Sequence, residues 1–150
     1  MAKPLILGNF LPYRLSVLSN TISQDIADIY DREFGLDIRQ WRVMAVVGET
    51  PGASASEVTA RTAMDKVAVS RAVAGLIELG YLTREPSAAD GRRSELRLTK
   101  VGQGIYDQIV PLALQYERDL LARLDAGDVK QLEALMTRLA DVVSPDHELW

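Results

Sequence analysis

Apolar residues recur at helical spacing near the start of the chain and again in its last third. Each stripe has members three or four residues apart, which predicts a long amphipathic helix. Gly35 ends the first helix in the role of a left-handed C-cap, and Pro111 lies inside the second, where we expect a kink. The stripes are Leu11, Leu15, Leu18, Ile22, Ile26 and Ile29; Ile105, Ile109, Leu112, Tyr116, Leu120 and Leu124; and Val129, Leu132, Leu135 and Leu139.

Three shorter helices are predicted between these stripes. Asp37 with Gln40 and Ser54 with Glu57 have the spacing of a capping box, in which side chain and backbone exchange hydrogen bonds at a helix N-terminus. A turn at Thr50–Gly52 separates the first two helices. The third begins near Asp65, buries Val69, Val73 and Leu76, and ends at Gly80.

The period then changes to the alternation of two that is typical of strands. Two such stretches, Tyr81–Glu85 and Ser94–Thr99, flank a polar loop and predict a hairpin with Leu96 and Leu98 facing the core. The predicted fold class is therefore mainly α with a small β wing, namely a winged helix-turn-helix with flanking dimerisation helices. On this plan we expect residues 36–99 to form a DNA-binding domain and residues 1–35 and 100–150 to form dimerisation helices.

Charge is distributed unevenly along the chain. The net charge is −4, yet eight basic residues face five acidic ones between Arg61 and Lys100. Attraction to phosphate is local because salt screens charges beyond about 8 Å. The basic middle therefore favours a nucleic-acid partner.

Other features of the composition narrow the function classes. The chain has no cysteine, and its single histidine, His147, cannot form a metal or catalytic site alone. We expect no cofactor and no enzymatic activity. No apolar run approaches the roughly 20 residues of a membrane helix, and the start lacks a signal-peptide pattern, so we expect a cytoplasmic protein without a membrane partner.

The helix that begins near Asp65 is the candidate recognition helix for a DNA major groove. With its apolar face turned inward, small and hydrogen-bonding residues face outward, and the fork of an arginine matches a guanine edge or a phosphate. At the hairpin tip, two arginines suit the adjacent minor groove, and Asp90 is expected to orient one of them. The candidate DNA-binding residues are Lys66, Val67, Ser70, Arg71, Ala74, Arg92 and Arg93.

Two other classes of protein remain as alternatives. The winged unit alone would also suit a protein-docking module, although the basic hairpin tip speaks against it. An enzyme is disfavoured because the chain shows no cysteine nucleophile, no histidine near a serine and no glycine-rich phosphate loop.

The segment from Ser70 to Gly102, SRAVAGLIELGYLTREPSAADGRRSELRLTKVG, resembles the core of the MarR family of bacterial transcriptional regulators. The family's wing signature is Asp-x-Arg, five residues, then Leu-Thr. It is matched by Asp90 and Arg92 and then by Leu98 and Thr99. Upstream, Ser70-Arg71, Leu76 and Gly80 fall at the positions expected for the family's recognition helix.

The resemblance implies a homodimer that binds a pseudo-palindromic operator, and a repressor that a small, often aromatic, ligand releases. The long stripes agree with this, because they exceed what one small winged domain can bury. The family also implies a ligand pocket between the dimerisation helices and the winged domain. Its candidate lining residues are Tyr13, Arg14, Trp41, Arg42 and Met44.

Overall fold

The computed structural model describes residues 1–150 and contains six α-helices and one two-stranded sheet. After a short 3-10 helix, Leu7–Asn9, the elements in chain order are α1 (Leu11–Phe34), α2 (Ile38–Glu49), α3 (Ala55–Thr62), α4 (Lys66–Glu78), β1 (Leu82–Pro86), β2 (Ser94–Leu98), α5 (Lys100–Leu121) and α6 (Ala126–Val143). This order confirms the predicted fold class, a winged helix-turn-helix between long flanking helices.

Both predicted capping boxes form. Asp37 Oδ1 accepts a hydrogen bond from the Gln40 backbone N–H at 2.8 Å, and Gln40 Oε1 accepts one from the Asp37 N–H at 3.1 Å. Ser54 and Glu57 make the same exchange at 3.2 and 3.0 Å. Because these bonds satisfy N–H groups that a helix start leaves without partners, they fix where α2 and α3 begin.

Single side chains and glycines set the other boundaries. Asp65 caps α4 and Thr99 caps α5, each accepting a hydrogen bond from the backbone N–H three residues later, at 2.8 and 2.9 Å. Gly35 follows α1 with φ +64°, and Gly80 follows α4 with φ +76°. Both conformations lie in the left-handed region, which costs a glycine least.

β1 and β2 form an antiparallel hairpin in which Leu82 pairs with Leu98 and Pro86 pairs with Ser94. The first strand lies one residue later than predicted. Pro86 is tolerated at its end because the sheet has only edge strands, where a missing N–H breaks little of the ladder. Leu96 is fully buried, whereas Leu98 is only half-buried at the base of the hairpin.

Pro111 lies within α5, which continues through it to Leu121. The proline therefore does not divide this helix into two elements. None of the six helices combines the length and the apolar composition needed to cross a membrane.

A single core joins the end of α1 to the winged domain and the first half of α5. Tyr30, Val47, Leu76, Leu96 and Ile109 come from five different elements, and each is at most 1% exposed. No residue of α6, and none in the first half of α1, is buried. The core thus fixes α4 and the hairpin relative to each other, while much of the flanking helices stays uncovered.

Candidate nucleic-acid interface

α4 has one buried face and one exposed face. Val69, Ala72, Val73 and Leu76 are at most 5% exposed because α2 and α3 pack against them. All five candidate DNA-binding residues of this helix lie on the exposed side: Lys66, Val67, Ser70, Arg71 and Ala74. The cationic groups of Lys66 and Arg71 have no hydrogen-bond or ion-pair partner in the chain. The exposed face therefore presents two unpaired cations among short side chains.

A cleft of about 350 Å³ separates the outer side of α4 from the first turn of α2. Arg71 and Arg39 both line it, and the Arg39 side chain also has no partner. Asp37 and Asp65 line it too, but each carboxylate already accepts a capping hydrogen bond. Sequence reasoning missed Arg39. Its position two residues after a capping residue places it in the first turn of α2, but only the fold brings that turn beside α4.

The polar loop of the hairpin, Ser87–Arg93, is called the wing tip here. The Ser87 N–H donates to the Arg93 carbonyl at 2.8 Å, and the Arg93 N–H donates to the Asp90 carbonyl at 3.0 Å. Asp90 Oδ1 accepts from the backbone N–H of Arg92 at 3.0 Å. The expectation that Asp90 orients an arginine side chain is therefore wrong. A short aspartate in a turn reaches the backbone two residues later more readily than a distant guanidinium.

The two arginines of the wing tip have different surroundings. The Arg93 guanidinium lies 3.3 Å from Glu57 Oε1 and 3.4 Å from Ser54 Oγ, at the N-terminus of α3. Arg92 is exposed, and its guanidinium has no partner. The prediction treated both as groove contacts, but only Arg92 is unengaged in the structure.

A second hollow, of about 270 Å³, lies between the hairpin and the first turn of α3. Arg84 of β1 and Arg92 both line it. Arg84 is exposed without a partner, and sequence reasoning missed it as well. The alternation along β1 predicts on which side of the hairpin the Arg84 side chain lies. It does not predict that the first turn of α3 lies next to that side.

Acidic residues near this surface are largely engaged. Glu49 pairs with Arg61, Glu57 with Arg93, and Glu95 with Arg97. Five other basic residues of this surface have no hydrogen-bond or ion-pair partner, and we call them the unpaired cations: Arg39, Lys66, Arg71, Arg84 and Arg92. They form one group beside α4 and another beside the hairpin, and α3 packs against both α4 and β2. Such an arrangement attracts the phosphates of a duplex.

The five candidate pocket residues have different surroundings in the protomer. Tyr13 and Arg14 line an open hollow of about 500 Å³ whose other lining residues also belong to α1. Trp41 packs between aromatic rings, with its centroid 5.0 Å from that of Tyr30 and 6.0 Å from that of Tyr106. Met44 is fully buried in the core. Met44 therefore faces none of the open hollows of the protomer, and its place in a ligand pocket stays a prediction.

Two polar contacts join the flanking helices to each other and to the winged domain. Arg42 donates a hydrogen bond to Ser23 Oγ at 3.2 Å, linking α2 to α1. The Tyr116 hydroxyl of α5 donates to Asp25 Oδ2 of α1, also at 3.2 Å. Burial, followed by the negative charge of Asp25, raises the pKa of Tyr116 above its usual value. Arg42 thus lies at a junction between helices, apart from the hollow that Tyr13 and Arg14 line.

The geometry defines the class of protein, a winged helix-turn-helix with long flanking helices. Residues 34–93 match the model of the MarR family. The MarR/EmrR family transcriptional regulator from Acinetobacter sp. ADP1 superposes with a TM-score of 0.85 at 25% identity, covering 94% of this chain and 99% of that one. The chain is therefore similar to MarR-family regulators in the sequence of this segment and in fold, as its sequence resemblance predicts.

The curated relatives that the chain resembles are also named as transcriptional regulators. The HTH-type transcriptional repressor IacR of Pseudomonas putida is 26% identical over 112 residues, which is 75% of this chain and 65% of the relative. The regulator BilQ of Clostridium symbiosum is 28% identical over 93 residues, or 62% of this chain and 65% of BilQ. The match thus spans less than two thirds of the length of these relatives. The PcaV regulator of Streptomyces coelicolor, solved with its natural ligand, shares the fold (TM-score 0.73, 22% identity, 95% of this chain and 100% of that one).

Proposed function

We propose that the protein is a sequence-specific DNA-binding transcriptional regulator that works as a homodimer. The observation that carries this proposal is the placement of the unpaired cations around the exposed face of α4 and along the hairpin. The cationic groups of these residues make no hydrogen bond or ion pair within the chain, so the fold leaves them available to a partner. A duplex supplies the missing counter-charges.

α4 enters the major groove with its exposed face. Arg71 carries the fork that can form two hydrogen bonds to a guanine edge, while Ser70 and the methyl groups of Val67 and Ala74 are short enough for close approach. Lys66 and Arg39 contact phosphates at the edge of the groove, and Arg92 reaches the neighbouring minor groove. This division gives Arg71 sequence discrimination and gives the other cations mainly affinity.

A second copy of the chain covers the exposed apolar surface of the flanking helices. The domain division follows, with residues 36–99 binding DNA and residues 1–35 and 100–150 forming the dimer. A symmetric dimer of this kind binds a pseudo-palindromic operator whose half-sites lie about 34–36 Å apart, one helical turn.

Repression relieved by a small ligand is the mode of regulation we propose. The relative from Pseudomonas putida is named a repressor, and the PcaV regulator was solved with a natural ligand. A ligand releases DNA if it binds the dimer better in a spacing that does not fit the operator. The candidate contacts require movement or the second protomer to meet around one molecule, and they are Tyr13, Arg14, Trp41, Arg42 and Met44.

The test first identifies the genomic DNA fragments that the purified protein protects from digestion. The affinity of the wild type and of Arg92→Ala for these fragments is then measured over a range of salt concentrations. The variant should bind more weakly, and its salt dependence should fall by about one charge unit.

Arg123→Ala is the matched control, because it removes the same charge from the turn between α5 and α6, outside the proposed interface. An Arg92→Ala protein with wild-type affinity and salt dependence would contradict the minor-groove contact. Absence of any preferred genomic fragment would contradict sequence-specific binding itself. Small aromatic acids added to the complex then test release of DNA.

A further inference from the structure

The hairpin is attached to the rest of the winged domain at two levels. In the middle of β2, the Gly52 N–H donates to the Leu96 carbonyl and the Leu96 N–H donates to the Ala53 carbonyl, both at 2.9 Å. These bonds add the segment before α3 to one edge of the hairpin. Farther out, Arg93 supplies a side-chain link between the wing tip and α3.

Arg93 is suited to this second attachment because its backbone is already fixed. Its N–H and its carbonyl both take part in hydrogen bonds within the wing tip, to Asp90 and Ser87 respectively. Its side chain extends to α3, where the Nη2 atom lies near both Glu57 and Ser54. One residue therefore holds the turn together and connects it to a helix that belongs to the rigid core.

The contact at α3 uses the capping box. Glu57 Oε2 accepts from the Ser54 N–H at 3.0 Å, which leaves Oε1 to face Arg93 at 3.3 Å. The capping geometry thus holds the Glu57 carboxylate in place. The ion pair with Arg93 therefore costs less side-chain entropy than a surface ion pair between two mobile side chains. Both partners are about half exposed, so the link remains sensitive to salt.

We propose that Arg93 is a positioning residue, which pins the wing tip to the N-terminus of α3 so that the adjacent Arg92 is held ready for DNA. This inference rests on the proposed function, because it assigns Arg92 to the minor groove. It removes Arg93 from the direct contacts and gives Glu57 a role although it is acidic and lies near the duplex.

The substitution Glu57→Gln tests the pin by the sign of its effect. Glutamine keeps the capping box but removes the charge that attracts Arg93. If Arg93 contacts DNA itself, the substitution frees it and removes a repulsive charge, so affinity rises. If Arg93 is a pin, the wing tip loosens and affinity falls by about two- to fivefold, the range expected for an exposed ion pair.

Glu85→Gln is the matched control. Glu85 is exposed on β1, its carboxylate has no partner, and the charge change is the same. Its affinity should stay level or rise slightly. A loss equal to that of Glu57→Gln would overturn the proposal, because it would show a general effect of charge on the wing.

A double-mutant cycle shows whether Glu57 acts through Arg92. In the Arg92→Ala variant, the side chain that Arg93 is proposed to position is absent. Adding Glu57→Gln to this variant should therefore cause no further loss of affinity. If Glu57→Gln lowers the affinity by the same factor with and without Arg92, the two residues act independently and the proposal is overturned.

A second measurement needs no DNA. Nitrogen-15 relaxation of the wing-tip amides in the free protein should show greater motion in Glu57→Gln than in the wild type or Glu85→Gln. Unchanged relaxation would overturn the pin whatever the DNA results are. A wild-type protein that fails to bind DNA would instead overturn the proposed function, and the relaxation data would still decide whether Arg93 orders the wing tip.

Discussion

α4 and α6 carry the same pattern of apolar residues, and only α4 buries it. In α4, Val69, Ala72, Val73 and Leu76 are at most 5% exposed. In α6 the residues at identical spacing are 41–48% exposed, namely Leu132, Leu135, Met136 and Leu139. The pattern therefore indicates which face of a helix needs covering but does not indicate what covers it. For α4 the answer lies within the chain, and for α6 we propose a second copy.

The strongest way to break this comparison is to place charges on the exposed face of α6. In the double variant Leu135→Glu/Leu139→Glu, a symmetric dimer would lose four buried leucines and gain four charges at its interface. We expect the dimer to weaken by about 6 kcal/mol or more, from about 1.5 kcal/mol for each leucine. Analytical ultracentrifugation measures the dissociation, with circular dichroism to verify that α6 remains helical.

Leu79→Glu supplies the control for this experiment. Leu79 is 47% exposed at the end of α4, within the winged domain. Its substitution should leave the dimer intact. A folded double variant that sediments like the wild type would show that α6 does not hold the dimer, and the apolar surface of α6 would then need another explanation.

A pair of matched truncations sharpens the comparison. Leu76→Ala removes a fully buried side chain from α4 and should lower the free energy of unfolding by about 2–5 kcal/mol at any protein concentration. Leu135→Ala should act mainly through association, so its effect on the melting temperature should grow as the protein is diluted. Thermal unfolding at several concentrations distinguishes the two. Equal concentration dependence in both variants would contradict the division into a self-contained core and a shared interface.

Features that depend on local chemistry were predictable from the sequence. The capping boxes at Asp37 and Ser54 formed as expected, because each joins residues only three positions apart. The glycine at the end of α1 adopted its left-handed conformation for the same local reason. Alternation also predicted that Leu96 and Leu98 face the core, and Leu96 is fully buried whereas Leu98 is half-buried.

Features that depend on distant partners were not predictable in this way. Arg93 and Glu57 are 36 positions apart, so nothing in the wing signature revealed their pairing. Arg39 meets Arg71 across a cleft only because α2 packs against α4. Met44 and Trp41 lie three residues apart on α2, so helical periodicity places them on the same face. Met44 is fully buried, whereas Trp41 is half-buried between two tyrosines. Periodicity alone does not separate these environments.

Arg71→Ala probes the functional side of α4 while leaving its buried side intact. If Arg71 forms two hydrogen bonds with a guanine edge, the loss should be about 1–3 kcal/mol of specific binding, with relaxed preference at one base pair in each half-site. Arg71→Lys keeps the charge without the fork, so it should retain nonspecific affinity and lose the preference. Binding-site selection from a randomised operator measures both. An unaltered preference in Arg71→Ala would assign this arginine to phosphate instead.

The smallest expected effect compares the two ends of α1. Burial of Tyr30 raises its pKa from 10.0 to about 12, so its protonated form is favoured by folding. This contribution to stability is complete below pH 10 and is lost as the pH rises from 10 to 12. At pH 10 the wild type should already have lost about 0.4 kcal/mol relative to pH 8 through this residue.

Tyr30→Phe keeps the packed ring and removes the ionisable hydroxyl, so it should abolish that share of the alkaline destabilisation. The matched control is Tyr13→Phe, at the exposed end of the same helix. Urea unfolding at pH 8 and pH 10 measures the change in each protein. Identical pH dependence in the two variants would show that the two ends of α1 do not differ in burial as the structure indicates. That difference separates the end of α1 that packs in the core from the end that we propose to be covered by a second copy.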